Sequence, residues 1–91
     1  MIDGLVSIIT PNYNSANYIK ETINSVQNQT YQNWEMIITD DGSSDNSISV
    51  IKEIIKEDPR IKLFEINNSG PAIARNNSIK NAKGQYLAFL D

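Results

Sequence analysis

A chain of 91 residues, 40% hydrophobic and 21% charged, is ordinary globular material and one domain at most. It holds no cysteine and no histidine, which excludes disulfides, thiol or imidazole catalysis, and metal sites built on those ligands. Oxygen ligands remain, suited to hard cations such as Mg²⁺ or Mn²⁺, and the net charge of −3 argues against a dedicated nucleic-acid surface.

The start, Met1-Ile2-Asp3-Gly4, lacks the basic opening of a signal peptide. No apolar run is long enough to span a membrane. The cytoplasm is the simplest compartment, with membrane association left to parts not present. The first run, LVSIIT at 5–10, is β-branched and nearly continuous, which suits a strand buried on both faces of a parallel sheet. Ile19, Ile23 and Val26 then recur at helical spacing, with Ser15 or Asn17 available as the cap. A second buried strand is expected over WEMIIT at 34–39. Ile48, Ile51 and Ile55, widened by Val50 and Ile54, mark a second helix. Ser44, Asp45 or Asn46 caps it and Asp58-Pro59 ends it. The run IKLFEI at 61–66 is mixed, which suits a strand nearer a sheet edge. Ala72, Ile79 and Ala82 mark a third helix, opened by Pro71 and closed by Gly84. YLAFL at 86–90 reads as another strand buried on both faces.

Strands alternating with single helices imply an α/β fold, a Rossmann-like parallel sheet of about four strands. Ligands of such sheets bind beyond the carboxyl ends of the strands. Thr10-Pro11-Asn12-Tyr13-Asn14 follows the first run and Asp40-Asp41-Gly42-Ser43-Ser44-Asp45 the second. Asn67-Asn68-Ser69-Gly70 follows the third and Asp91 the fourth. Acids gathered on one rim repel unless they hold a cation or accept hydrogen bonds. Asp45 reads as a turn and helix-cap residue, and Asp40 as a turn or cap residue. Asp41 stands equally between a turn and a ligand contact, and Tyr13 between a ligand and its own loop. Arg75, read in the first turn of a helix, opposes the helix dipole, a local conflict of the kind that marks function; a surface salt bridge is the alternative. No G-x-G-x-x-G follows the first strand and no G-x-x-x-x-G-K-[ST] occurs, so dinucleotide and P-loop sites of those kinds are excluded.

At these residues the chain resembles the inverting glycosyltransferases of family 2, which have the GT-A fold. VSIITPNYN at 6–14 is similar to the family's opening strand and P-x-Y-N loop. Ser25 to Tyr31 with Trp34-Glu35 is similar to its S-x-x-x-Q-T-[YF]…[WF]-E segment, and Asp40 to Asp45 to its [DE]-D-G-S-x-D turn. GPAIARN at 70–76 followed by GQYLAFLD at 84–91 resembles its G-x-x-x-A-R-N…G-x-Y-[IL]-x-F-L-D stretch. The resemblance implies that Pro11 and Tyr13 hold the nucleobase, Tyr13 by stacking, and that Asp41 accepts the N3–H of a uracil. It implies that Arg75 lies near the nucleotide diphosphate. Asp91 is then the first residue of a D-x-D motif, close to the ribose and, directly or through water, to Mn²⁺ or Mg²⁺.

On this reading residues 1–91 are the N-terminal nucleotide-sugar-binding half of a glycosyltransferase domain, truncated at the start of the D-x-D motif. The expected donor is a UDP-sugar. The acceptor, a glycan or glycoconjugate in bacterial polysaccharide biosynthesis, is bound through a half not present, which also carries the catalytic base. The 91 residues therefore hold no catalytic residue and are expected to be inactive alone. Self-association through the truncated sheet edge at 86–90 is expected. Three other readings compete. A nucleotidyltransferase has a glycine-rich, basic loop after its first strand, where this chain has Pro11-Asn12-Tyr13-Asn14. A receiver-like signalling domain has an acidic pair after its first strand and a phospho-acceptor Asp after its third, where this chain has its acids after the second and Asn67-Asn68 after the third. A non-catalytic α/β interaction module predicts no nucleotide response at Tyr13 or Asp41.

Overall fold

The structure, a computed structural model, describes residues 1–90, and Asp91 lies outside them. The elements run β1 (Ile2–Asn12), α1 (Ile19–Gln27), β2 (Trp34–Asp40), α2 (Ser47–Glu57), β3 (Ile61–Glu65), α3 (Pro71–Lys80) and β4 (Gly84–Phe89). They form one four-stranded sheet in the order β3-β2-β1-β4 with every pair parallel. The fold is the α/β, Rossmann-like arrangement that the alternation of runs implies. The chain steps outward from β1 to β3, then returns to the other side of β1 for β4.

Side-chain alternation divides the sheet into two unlike faces. On one face Ile8, Met36, Ile38 and Ile61 pack with Trp34 against Ile19, Ile23 and Val26 of α1 and Ile51 of α2, forming the apolar core. In α2 Ile51 is fully buried and Val50, Ile54 and Ile55 pack beside it as the spacing predicts, but Ile48 does not join this cluster. Asn46 holds the cap position without a side-chain bond, and Asp58 ends the helix. On the other face α3 lies against β1 and β2 through small residues. The Ala72, Ile79 and Ala82 stripe expected for α3 is not its buried side: Ala74 and Ser78 are fully buried, whereas Ala72 is exposed. Small side chains at i and i+4 let the helix approach closely enough for Ser78 Oγ to reach Thr39 Oγ1 at 2.7 Å and the Ile37 carbonyl at 3.0 Å.

Two further expectations are corrected. Neither Ser15 nor Asn17 caps α1 with its side chain. The cap position is Tyr18, the Ser15 carbonyl takes the Tyr18 and Ile19 N–H groups, and the Ser15 hydroxyl donates to Asn12 Oδ1 instead. Gly84 does not close α3, which ends at Asn81. It opens β4, where a Cβ would sit 2.6 Å from the Leu5 carbonyl oxygen and from Ser7 Oγ, so only glycine fits.

The edges differ as well. β3 is an edge strand, as its mixed composition implies, and β2, lying between β1 and β3, is buried along its whole length. β4, expected to be buried on both faces, is the opposite edge, with Tyr86 and Phe89 each 57% exposed. α1 and α2 pack on one side of the sheet, α2 reaching β3, and α3 covers β1 and β2 on the other. β4 lies outside that cover.

β4 is anchored through its start. Glu35, buried on the α3 face of β2, accepts from Ser7 Oγ at 2.6 Å, Lys62 Nζ at 2.8 Å and the Lys83 N–H at 2.7 Å. Ser7 Oγ in turn takes the Gly84 N–H at 2.8 Å. Burial pushes the Glu35 carboxyl up, but the bonds from Lys62, Ser7 and Lys83 outweigh it and hold the group below the usual carboxylate range.

Candidate functional site

The loops that follow β1, β2 and β3 meet at the carboxyl edge of the sheet. Asp40, the last residue of β2 and fully buried, organises them. Its carboxylate accepts the Ser43 N–H at 2.8 Å, the Gly42 N–H at 3.1 Å and the Ser43 hydroxyl at 2.5 Å, closing the turn. It also takes Asn12 Nδ2 at 2.7 Å, tying the end of β1 to the end of β2. All these partners lie within the fold, so Asp40 is a turn builder. Gly42, at φ +82°, makes the reversal possible, because a side chain there is both strained and pressed against the backbone of Asn68.

The β1–α1 loop is fastened to the β2–α2 turn a second time. Asn14, at φ +48°, donates its N–H to Ser43 Oγ at 2.8 Å. Its Oδ1 accepts the N–H groups of Ser44 at 2.8 Å and Asp45 at 3.3 Å. Asp45 answers by accepting the Ala16 N–H at 3.0 Å and the Ser47 N–H at 3.0 Å. The Ser47 hydroxyl, then the Ala16 and Ser47 amides, hold its carboxyl below the usual range. Asp45 is the turn and helix-start residue that its position suggests.

Asp41 is 4% exposed and reaches the third loop. Oδ1 accepts the Ser69 N–H at 2.7 Å and Oδ2 the Gly70 N–H at 2.9 Å. Gly70, at φ +100°, is the residue before Pro71 at the start of α3, so Asp41 satisfies donors that the helix start leaves open. Each oxygen keeps acceptor capacity beyond these bonds.

Between these loops lies a cleft of about 440 Å³. Pro11 and Asn12 line it from the end of β1 and Tyr13 from the loop that follows, Asp41 from the β2–α2 turn, Asn68 and Gly70 from the β3–α3 loop, and Pro71, Ala74 and Arg75 from α3. Of the residues singled out in the sequence, Pro11, Tyr13, Asp41 and Arg75 share this wall, and Asp91 lies outside the described residues. Tyr13 is 52% exposed. Arg75 is the fifth residue of α3, one turn further in than its sequence position suggested, where its conflict with the helix dipole is smaller. Sequence reasoning missed Asn68 and Gly70 as wall residues and Asn12 and Asn14 as fasteners. The only signal for them was a cluster of Asn, Ser and Gly after each run, the composition of any turn.

The described residues do not by themselves make a metal site. No group of three or more Asp or Glu side chains converges among them, and the carboxylates of Asp40 and Asp41 already hold protein donors. Among the described residues no helix is long and apolar enough to cross a membrane.

Fold and cleft together define an open, all-parallel α/β domain with its cleft at the carboxyl ends of the strands, where ligands of such sheets bind. The chain belongs to glycosyl transferase family 2, whose family pattern matches residues 7–91. An uncharacterized glycosyltransferase of Haemophilus influenzae is 51% identical over 88 residues, covering 96% of this chain and 35% of that protein. The UDP-Glc:alpha-D-GlcNAc-diphosphoundecaprenol beta-1,3-glucosyltransferase WfgD of Escherichia coli is 48% identical over 92 residues, covering 100% of this chain and 36% of that one. The chain thus spans about a third of the length of these relatives. Among solved structures, S. aureus TarS 1–349 in complex with UDP-GlcNAc superposes with a TM-score of 0.87 at 32% identity, over 94% of this chain and 26% of that one. The mannosyltransferase PcManGT from Pyrobaculum calidifontis, in complex with GDP-Man and Mn²⁺, gives 0.73 at 26% identity, over 86% of this chain and 24% of its own.

Proposed function

We propose that these 91 residues are the donor-nucleotide-binding part of a glycosyltransferase that builds a bacterial glycan or glycoconjugate, with a UDP-sugar as donor. The observation that carries the reading is the cleft at the carboxyl edge, where an exposed tyrosine, a buried carboxylate and an arginine share one wall. The TarS complex with UDP-GlcNAc supports a uridine nucleotide as the ligand class.

In this reading Tyr13 offers its ring face to the base and Pro11 forms the floor beside it. Asp41, already oriented by Ser69 and Gly70, uses its remaining lone pairs to accept the N3–H of uracil. Arg75 favours the charge of the diphosphate. The reading assigns Asp91, which lies outside the described residues, to the ribose and, directly or through water, to a divalent cation, Mn²⁺ or Mg²⁺, which supplies charge neutralisation at the diphosphate when bound. Among the described residues no group of three or more Asp or Glu side chains gathers to hold that cation. Transfer to an acceptor hydroxyl belongs to the whole protein, together with the base that deprotonates it.

Titration of the chain with UDP, GDP and ADP, with and without Mn²⁺, followed by residue-resolved NMR, tests the reading. Saturable shifts at Tyr13, Asp41 and Arg75 that are strongest with UDP are expected. Equal or absent responses to all three nucleotides would favour a non-catalytic module.

A further inference from the structure

Tyr13 carries the exposed ring of the cleft, yet what fixes its place lies in its two neighbours. On one side Asn12 is buried and bonded through its amide to Asp40. On the other side Asn14 does not line the cleft, but it makes the clasp to Ser43, Ser44 and Asp45 across the loop boundary. Its backbone at φ +48° reverses the chain directly after Tyr13, a conformation that asparagine tolerates better than most residues. A half-exposed ring on a loop loses conformational freedom when it stacks on a ligand, so pinning the backbone beforehand lowers the cost of binding.

We propose that Asn14 is a positioning residue for Tyr13. Its side-chain oxygen locks the β1–α1 loop to the β2–α2 turn, so that the tyrosine ring is preset against the cleft. The inference rests on the nucleotide-binding reading above, but its structural half is measurable without ligand. Asn14 bonds to the turn and is not among the residues that line the cleft, so it acts on the site through Tyr13.

Three variants separate its contributions. Asn14→Gly keeps the positive φ and removes the acceptor. Asn14→Asp keeps both an acceptor and tolerance of that φ. Ser43→Ala leaves residue 14 intact and removes the oxygen that takes its N–H, together with the hydroxyl that donates to Asp40. In Asn14→Gly, faster hydrogen exchange at the Ser44 and Asp45 amides reports that the clasp has opened, and unchanged exchange at Ile37 reports an intact sheet. The ¹⁵N order parameter of Tyr13 is then expected to fall from the rigid range near about 0.85 toward about 0.6. UDP affinity is expected to drop about two- to tenfold, the equivalent of one lost hydrogen bond. Asn14→Asp should restore both, and Ser43→Ala should lower both. An opened clasp with Tyr13 order and UDP affinity unchanged overturns the proposal. If the parent chain fails to bind UDP, the nucleotide reading falls separately. The Tyr13 order parameter then decides alone, and an unchanged value overturns the positioning role. If Asn14→Gly fails to fold, Ser43→Ala tests the loop fastening from the opposite side, with exchange of the Gly42 amide reporting whether the Asp40 turn has stayed closed.

Discussion

Asp41 and Gly70 are joined by a 2.9 Å hydrogen bond from the glycine N–H to Oδ2, with Ser69 bound to Oδ1 beside it. The acid that directly follows the second strand therefore holds the start of α3, the helix that carries Arg75 into the cleft. Before any ligand arrives, its carboxylate already fixes two walls of the site relative to each other.

Replacing Asp41 should consequently show twice. Asp41→Ala leaves the Ser69 and Gly70 amides without their acceptor, and their hydrogen exchange should rise in the ligand-free chain. UDP binding should weaken by about 1–3 kcal/mol, from the lost acceptor and the loosened helix start together. An unaltered dissociation constant measured by calorimetry would remove Asp41 from the nucleotide site while leaving its structural bond intact.

Acid should destabilise the chain through two groups remote from the cleft. The Glu35 carboxyl lies below the usual carboxylate value in the folded state, despite its burial, because of the bonds from Lys62, Ser7 and Lys83. Asp58 is held at about 2 by its pairing with Arg60, against the opposing effect of burial and with help from Gln27. The Arg60 guanidinium also stacks 3.8 Å from the Trp34 ring centroid. Both carboxyls are lowered on folding, so their stabilisation is complete above the unfolded values and is lost as pH falls through the folded ones. Urea midpoints should hold level down to about pH 5 and fall steeply below about pH 4. In Glu35→Gln the midpoint at neutral pH should be lower and the acid slope shallower. A slope equal to that of the parent would contradict the assignment.

Gly84→Ala should damage the seat of β4. The added methyl meets a backbone carbonyl and Ser7 Oγ at 2.6 Å, and neither is a flexible tip. A loss of about 1–3 kcal/mol is expected from thermal or urea unfolding, typical of forced overpacking. The Gly84–Ser7 bond should weaken with it, visible as faster exchange of the Gly84 amide.

The two sheet edges should behave differently in solution. β3 carries Lys62 and Glu65, charges that discourage another strand from pairing. β4 reads Gly-Gln-Tyr-Leu-Ala-Phe with no charge, and its large side chains are exposed. The purified chain should therefore associate as its concentration rises, and Leu87→Lys should suppress this. Light scattering over a dilution series decides it, since a parent chain that stays monomeric throughout contradicts the expectation.

Much of this molecule was legible in the order of its residues. The apolar run at 34–39 and the isoleucine spacing at 48–55 are local patterns, and local patterns report local geometry faithfully. They are enough to imply the alternation, the parallel sheet and the edge at which polar loops collect. The motifs after β1 and β2 and at 70–76 pointed to family 2 in the same way, because chemistry at a strand end is written in consecutive residues. What the pattern misjudged depended on neighbours distant in sequence. YLAFL at 86–90 looks as buried as WEMIIT at 34–39. Only the strand order puts β2 between two partners and leaves β4 on an edge. Gly84 looks like a helix terminator, and only the register with β1 reveals the carbonyl and hydroxyl that forbid a side chain.

The sequence by itself determined the fold class, the family and the residues that could face a ligand, since each rests on short-range periodicity or on a contiguous motif. Tertiary structure alone decided which polar groups build the loops and which line the cleft. Asp40 and Asp41 are adjacent in the chain and alike in chemistry. One is consumed by its own turn and by Asn12, whereas the other reaches the start of a helix 29 residues away and still borders the cleft. A carboxylate's role is set by the donors that surround it. Those donors come from loops that meet only when the parallel strands bring their carboxyl ends together.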